Sequence, residues 1–468
     1  MGYALSTEGA RRKRTYQGSV AGRDLSRLGC IVPLPVSRYT GVEPMSIDWE
    51  TDELDGGLRV VTTPLPAAQS ASVNVFVGAG SRGEEARTKG LAHFLEHMMF
   101  KGTPRRPSAI EVAEAIEGAG GILNAYTAKE ITCYWNHVPF DRLELAVDVL
   151  ADMLQNPLLD PGEIERECSV VQQEIRRLHD QPGAWVGELL GRAMFGDHPL
   201  GWPTTGAEET VAGLEREDFR LWLETWYGSS NLVLSVAGNA SHKKVVELAR
   251  RYWGNGQQRA APPPLPLDRG LPARRAIVEA RPISQANLSL GMPALARSDP
   301  DRYVLMVLNS LLGRGMSSRL FKEVRERRGL AYSVGSFVSR HSDTGLFAIA
   351  AGVSPEKIDE AVQVILAELD KLVQEPVGEE ELTKARDYTV GSFRLSLETP
   401  IALAQWSGES LLTMGEIEPI EMVVERLRAV SADDLLRIAR RVLVLEKAAL
   451  AVVGPDVREE PLLKLLGA

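Results

Sequence analysis

Val73-Asn74-Val75-Phe76-Val77 alternates in the manner of a β-strand, and the more apolar stretch from Asn231 to Gly238 reads as a second one. Between them, apolar residues recur every three to four positions over Ile110–Gly118, Leu143–Leu154, Ile164–Leu178 and Phe219–Tyr227, which predicts helices. The pattern breaks after Trp253. Gly254-Asn255-Gly256 is followed by Pro262-Pro263-Pro264-Leu265-Pro266, the composition of a stiff linker. The order then recurs. Ala286-Asn287-Leu288-Ser289-Leu290 predicts a strand, helices follow, Phe347–Val353 is again strand-like, and Ala448–Pro455 echoes Leu232–Asn239. The chain therefore predicts two tandem α+β halves of roughly 200 residues each. They span residues 45–256 and 273–468, joined by a Pro-rich linker at 257–272.

Residues 1–44 stand apart from this pattern. They carry Arg11-Arg12-Lys13-Arg14, prolines and few periodic apolar positions. Leu28–Val36 is too short and too broken by proline to be the apolar core of a signal peptide. Glu8 and Asp24 are untypical of a transit peptide. The expectation is a disordered extension or a misassigned start, with Met45 as the working beginning. No run approaches the 18 apolar residues of a membrane span. A net charge of −10 on 468 residues, with no basic stripe interleaved with aromatics, argues against a nucleic-acid protein. Cys30, Cys133 and Cys168 are odd in number and far apart, which predicts free thiols in a reducing compartment and a cytoplasmic location. The mitochondrial matrix is the alternative if the basic extension is a transit peptide.

One pentapeptide changes the picture. His93-Phe94-Leu95-Glu96-His97 lies among Leu91, Ala92, Met98, Met99 and Phe100. Two imidazoles and a carboxylate are costly to bury unless they are paired, hydrogen-bonded or bound to a metal. On a helix, residues four apart share a face, about 6 Å apart along the axis. His93 and His97 then aim at one point with Glu96 beside them, two ligands and a general base for a hydrolytic zinc site. The order H-x-x-E-H is the inverzincin signature. The ordinary alternative is a pair of satisfied core histidines and an exposed glutamate.

A third ligand is due from another element. Ile164, Cys168, Val171, Ile175 and Leu178 form a helical stripe, opened by Pro161-Gly162 and closed by Asp180-Gln181-Pro182-Gly183. Glu167 and Glu174, two turns apart, share a side of that helix. Read alone, they are better taken as two solvated carboxylates at the stripe's edge, a common pattern.

H-x-x-E-H followed far downstream by E-R-x-x-x-V-V-x-x-E-I resembles the pitrilysin, insulin-degrading enzyme and mitochondrial processing peptidase family. Gly78-Ala79-Gly80-Ser81-Arg82 and Gly90-Leu91-Ala92 before the motif, and Lys101-Gly102-Thr103 after it, are similar to the family's surroundings. So are Asn124-Ala125-Tyr126-Thr127 and Thr132-Cys133-Tyr134, and in the other half Ser317–Phe321 and Val324–Val334. The resemblance runs from about Met45 to the C-terminus. It implies two homologous halves, each an antiparallel sheet flanked by helices, closing as a clamshell. It implies one Zn²⁺ per chain on His93, His97 and Glu174, with Glu96 as the base and Glu167 supporting the site from behind. Asn124 and Ala125 would meet an extended peptide, bound by addition of a strand to a sheet edge. Arg325 and Tyr332 would reach in from the other half to stabilise the substrate carbonyl. One departure is Arg314, in Leu312-Gly313-Arg314-Gly315-Met316, where close relatives often carry glycine.

The expected activity is zinc-dependent endopeptidase action on peptides or unfolded segments in an enclosed chamber. The expected partners are peptides, neither nucleic acid nor membrane, and a second subunit, as a homodimer or as a heterodimer with a paralogue. The alternatives are the catalytic subunit of a heteromeric processing peptidase and a non-catalytic partner subunit.

Overall fold

The computed structural model describes residues 47–467 apart from 255, 257 and 268–274. The extension at 1–44, Cys30 and part of the predicted linker lie outside the described residues. From Ile47 onward the chain forms one unit, built on two sheets. The first contains β1 (Glu50–Glu53), β2 (Arg59–Pro64), β3 (Ser70–Val77), β4 (Ile122–Thr127), β5 (Thr132–Pro139) and β6 (Leu232–Gly238), in the order β1-β2-β6-β3-β5-β4. The second contains β7 (Arg275–Ala280), β8 (Ala286–Ala294), β9 (Ala331–Arg340), β10 (Gly345–Val353) and β11 (Ala449–Gly454), in the order β7-β11-β8-β10-β9.

With β1 set aside, the two orders coincide strand for strand, and so do the senses. β2 and β6 run parallel, as do β7 and β11, and the remaining neighbours are antiparallel. The last strand of each half returns beside the first, after a long connection that allows a parallel pairing. The sheets are thus mixed, antiparallel except at that one pair. Helices accompany both sheets, at Ala109–Glu117, Leu143–Gln155, Pro161–His179 and Arg216–Trp226 among others, close to the four spans that periodicity predicts.

β3 alternates in sequence yet is buried on both faces. Val73, Val75 and Val77 pack with Phe94, Leu95 and Met98 of their own half. Phe76, on the opposite face, packs with Leu411 of the helix Pro400–Met414, which comes from the second half of the chain. The exchange is reciprocal. The helix Pro182–Phe195 of the first half lays Val186, Leu189, Leu190 and Met194 on Ala348, Ala449 and Ala451 of the second sheet. Each fully buried aliphatic side chain is worth about 1.5–3 kcal/mol. A handful of them rivals the net stability of a whole domain, roughly 5–15 kcal/mol, so neither helix is a detachable arm. Gly408 makes one of these contacts possible, because a Cβ there would lie 2.4 Å from the Phe76 ring.

The junction also holds a polar knot. Arg82, only 1% exposed, donates to Glu130 (2.7 Å), to both oxygens of Asp343 (2.7 Å) and to the linker carbonyl of Leu265 (2.8 Å). Glu130 accepts in turn from the Ser342 amide and hydroxyl and pairs with Arg297 at 3.0 Å. No helix among the described residues is long and apolar enough to cross a membrane.

Candidate metal centre

The helix Leu91–Met98 carries the pentapeptide. Leu91, Ala92, Phe94, Leu95 and Met98 are buried, which turns His93 and His97 together toward a neighbouring helix. It starts at Gly90, whose φ of 94° is left-handed and offers no side chain as a cap. The cap comes from outside the helix. The carboxylate of Glu84 accepts the Gly90 and Ala92 amides, each at 2.9 Å, and burial pushes its pKa up to about 8 against the pull of those bonds and of Lys129.

The facing helix, Pro161–His179, begins with the Asp160 carboxylate accepting the Glu163 amide at 3.0 Å and with proline in its first turn. Ile164, Glu167 and Val171 are buried, so the stripe that meets the motif helix contains a carboxylate. Glu174 lies one turn beyond Val171. Its Oε2 is 3.7 Å from His93 Nε2 and 3.6 Å from His97 Nε2. These three residues form the one cluster of three or more potential metal ligands among the described residues. Zinc with nitrogen and oxygen ligands at about 2.0–2.2 Å in a tetrahedron needs donors roughly 3.3–3.6 Å apart. The two spacings to Glu174 fit with slight contraction, and all three donors lie within 4.8 Å of one another.

The surroundings fit too. Glu167 Oε1 lies 2.9 Å from His97 Nδ1. That contact places the ring proton on Nδ1 and leaves the Nε2 lone pair facing Glu174. Lys101 pairs with the other oxygen of Glu167. Burial, and then the charge of His97, lower the pKa of His93 to about 4, so its imidazole is neutral at neutral pH, as a ligand must be. Burial works against a charge on His97 as well, but the bond to Glu167 and the charges of Glu174, Glu167 and Glu96 outweigh it and raise its pKa. Three carboxylates around two imidazoles make a pocket for a cation. The Glu174 side chain is 41% exposed, which leaves the cluster open on one side as a catalytic metal site requires.

Glu96 lies beside the cluster and outside it. Its carboxylate is bound by the Thr127 hydroxyl from β4. Burial raises its pKa, the Thr127 bond and His97 lower it, and the net direction is upward, toward the range of a working general base.

Residues 59–208 match the family described as Insulinase (Peptidase family M16), and residues 213–388 match the Peptidase M16 inactive domain. A protein of Streptomyces coelicolor named as an uncharacterized zinc protease is 40% identical over 408 residues, covering 86% of this chain and 88% of its own length. The chain belongs to peptidase family M16. A zinc protease of the same description from Bacillus subtilis is 35% identical over 400 residues, 86% of this chain and 97% of that protein. Among solved structures, a protease from Helicobacter pylori superposes with a TM-score of 0.83 at 25% identity, covering 88% of this chain and all of that one. A Pseudomonas fluorescens structure of the M16 inactive domain, 18% identical with a TM-score of 0.82, shares the fold.

In this M16 chain the first matched segment contains His93, Glu96, His97, Asn124, Ala125, Glu167 and Glu174, and the second contains Arg325 and Tyr332. Asn124 and Ala125 lie on β4, the free edge of the first sheet, and Asn124 Oδ1 accepts the Ala125 amide at 2.8 Å. Arg325 and Tyr332 are brought to each other. The Arg325 guanidinium stacks over Tyr332 at 5.5 Å, and Tyr332, on the edge strand β9, is 77% exposed. No hydrogen bond, ion pair or ring contact joins either of them to His93, His97, Glu174 or Glu96.

Three site residues were not legible as such. Thr127 holds Glu96, Lys101 neutralises Glu167, and Glu84 caps the motif helix. The signal for Glu84 was present, since an acidic residue shortly before a helix start with a glycine cap favours the helix dipole. Nothing in the spacing pointed to Thr127.

Proposed function

We propose that the chain is a zinc-dependent endopeptidase for extended peptides, with Glu96 as its general base. The observation that supports this reading is the division of labour around the cluster: three ligand side chains converge, while the fourth polar side chain, Glu96, is held off by Thr127. A zinc ion on His93, His97 and Glu174 would polarise a carbonyl and acidify water. Glu96 then takes the proton from the attacking water and returns it to the leaving amine. Glu167 keeps His97 in the ligating tautomer. A substrate strand adds to the open edge of β4. The Ala125 amide becomes available to a substrate carbonyl once Asn124 swings away.

Arg325 and Tyr332 complete the site as oxyanion stabilisers supplied by a second copy of the chain. The exposure of Tyr332 and the lack of any bond from the pair to its own cluster favour this arrangement over one within a single chain. The enclosed chamber is then the space between two copies.

Glu96→Gln tests the base. Hydrolysis of a peptide library should disappear while elemental analysis still finds about one zinc per chain, because the base is not a ligand. Lost zinc would move Glu96 into the coordination shell. Tyr332→Phe should also be nearly inactive, by roughly 100- to 1000-fold. Mixing it with Glu96→Gln should restore activity, since one of the two sites in a mixed dimer is intact. No recovery on mixing rejects the second copy as the source of the pair.

A further inference from the structure

A cavity of about 530 Å³ lies against the free edge of the second sheet, between β9 and the helices Arg302–Gly313 and Glu379–Leu395. Its charged lining is Arg302, Arg314 and Arg340, in a chain whose net charge is −10, and the acids Glu409, Glu416 and Glu418 line the adjoining cavity on the far side of Arg302 and Arg340. Arg302 is neutralised by Glu418 at 2.6 Å. The side chains of Arg314 and Arg340 have no hydrogen bond or ion pair among the described residues. Arg340 is partly buried; burial and the like charges of Arg302 and Arg297 lower its pKa, with Glu409 and Tyr303 acting the other way. Ser392 adds a neutral hydroxyl donor, whereas the hydroxyls of Thr389 and Ser396 already donate to the Ala385 and Phe393 carbonyls. A charge withdrawn from water calls for a counter-charge. The guanidinium fork matches a carboxylate, which it binds through two parallel hydrogen bonds.

We propose that this cavity receives a carboxylate side chain of the peptide substrate, so that the chain prefers an acidic residue at a fixed distance from the cleaved bond. The proposal rests on the peptidase reading above. A peptide is favoured over a free anion because the cavity is built on an open strand. Ser336, Phe337, Val338 and Arg340 of β9 line it, Phe337 is 44% exposed, and the same strand carries Tyr332 near its start. At about 3.3 Å per residue the cavity lies roughly 13–26 Å along β9 from Tyr332. A peptide extended along this edge from Tyr332 would bring in the residue about four to eight positions from its scissile bond. Arg314, which interrupts the glycines of its loop, thereby acquires a function.

The test uses zinc-loaded Glu96→Gln protein and pairs of fluorescent peptides that differ only in Glu or Gln at one position, scanned through ten residues on either side of the bond. The Glu peptide should bind about tenfold tighter at positions four to eight on one side, the worth of a charge-assisted bond that is partly open to water. Adding Arg340→Gln should bring the ratio near one, and adding Arg314→Gln should lower it. A ratio near one at every position, or one unchanged in both variants, overturns the proposal. Inorganic phosphate should compete for the Glu peptide's advantage. Phosphate binding lost in Arg340→Gln without any preference for Glu would make the cavity a small-anion site and overturn the peptide assignment. Turnover by the chain with Glu96 restored separates the two ideas. Selective binding without any hydrolysis rejects the peptidase reading and leaves the cavity standing, whereas hydrolysis with no preference for acid does the reverse.

Discussion

A threonine on a strand and a glutamate on a helix hold the two side chains whose direction matters most. Thr127 fixes Glu96, and Glu167 fixes His97. Such outer partners typically contribute about 10- to 100-fold to metal affinity or activity. Thr127→Val should therefore lower kcat/KM by that order and leave zinc affinity, measured by competition with a chelator, unchanged. Glu167→Gln should weaken zinc by a similar factor. Wild-type zinc affinity in Glu167→Gln would mean that His97 needs no orientation. These two partners differ in how readable they are. Glu167 was legible only through the family resemblance, since its spacing from Glu174 reads by itself as a solvated edge, and the structure finds it buried. Thr127 reaches Glu96 across 31 residues, through the register of β4 on β5, and that register is set by tertiary pairing.

At the scale of elements, the decisive contact is a helix without a strong stripe. The buried face of Pro400–Met414 includes Ser407 and Gly408 beside Leu403, Ala404 and Leu411. Small and polar residues on the contact face blur the hydrophobic pattern, and for that reason periodicity did not single this helix out. The same smallness lets it lie flush on β3 and β6, with the Ser235 hydroxyl donating to the Ala404 carbonyl at 2.7 Å. Gly408→Leu should destabilise the fold by about 1–3 kcal/mol through overpacking against Phe76. Gly391→Ala, where a Cβ meets open space on the helix Glu379–Leu395, should be neutral or stabilising by up to about 1 kcal/mol. Chemical denaturation of the two variants beside the wild type checks both signs. Equal midpoints would show that the exchanged helix tolerates displacement.

Across the whole molecule, the doubled pattern of strands was legible, and the way the halves hold each other was not. An amphipathic stretch announces that it will bury a face; it does not say against which sheet. The Arg82 knot is equally silent in sequence, because its partners come from three distant segments. It has a pH signature. Burial alone would raise Glu130, but hydrogen bonds from Ser342 and the charge of Arg297 hold it below 4.5; burial likewise opposes Asp343, which bonds from Arg82 hold below 3.8. Folded values below unfolded ones give stability that is complete above the unfolded values and lost as pH falls through the folded ones. The thermal midpoint should drop on acidification below about pH 4. Arg82→Met should cost about 3–5 kcal/mol at neutral pH, and the gap should narrow in acid. A gap of constant size at every pH would remove the knot from the account. The exchanged helices bear finally on how the protein is made. Ser235 waits for Ala404, 169 residues later in the chain. At about 5–20 residues per second a ribosome needs on the order of 10 to 30 s to supply it. Throughout that interval the first sheet lacks the helix that covers one of its faces in the folded protein, and the helix Pro182–Phe195 lacks the sheet on which it packs.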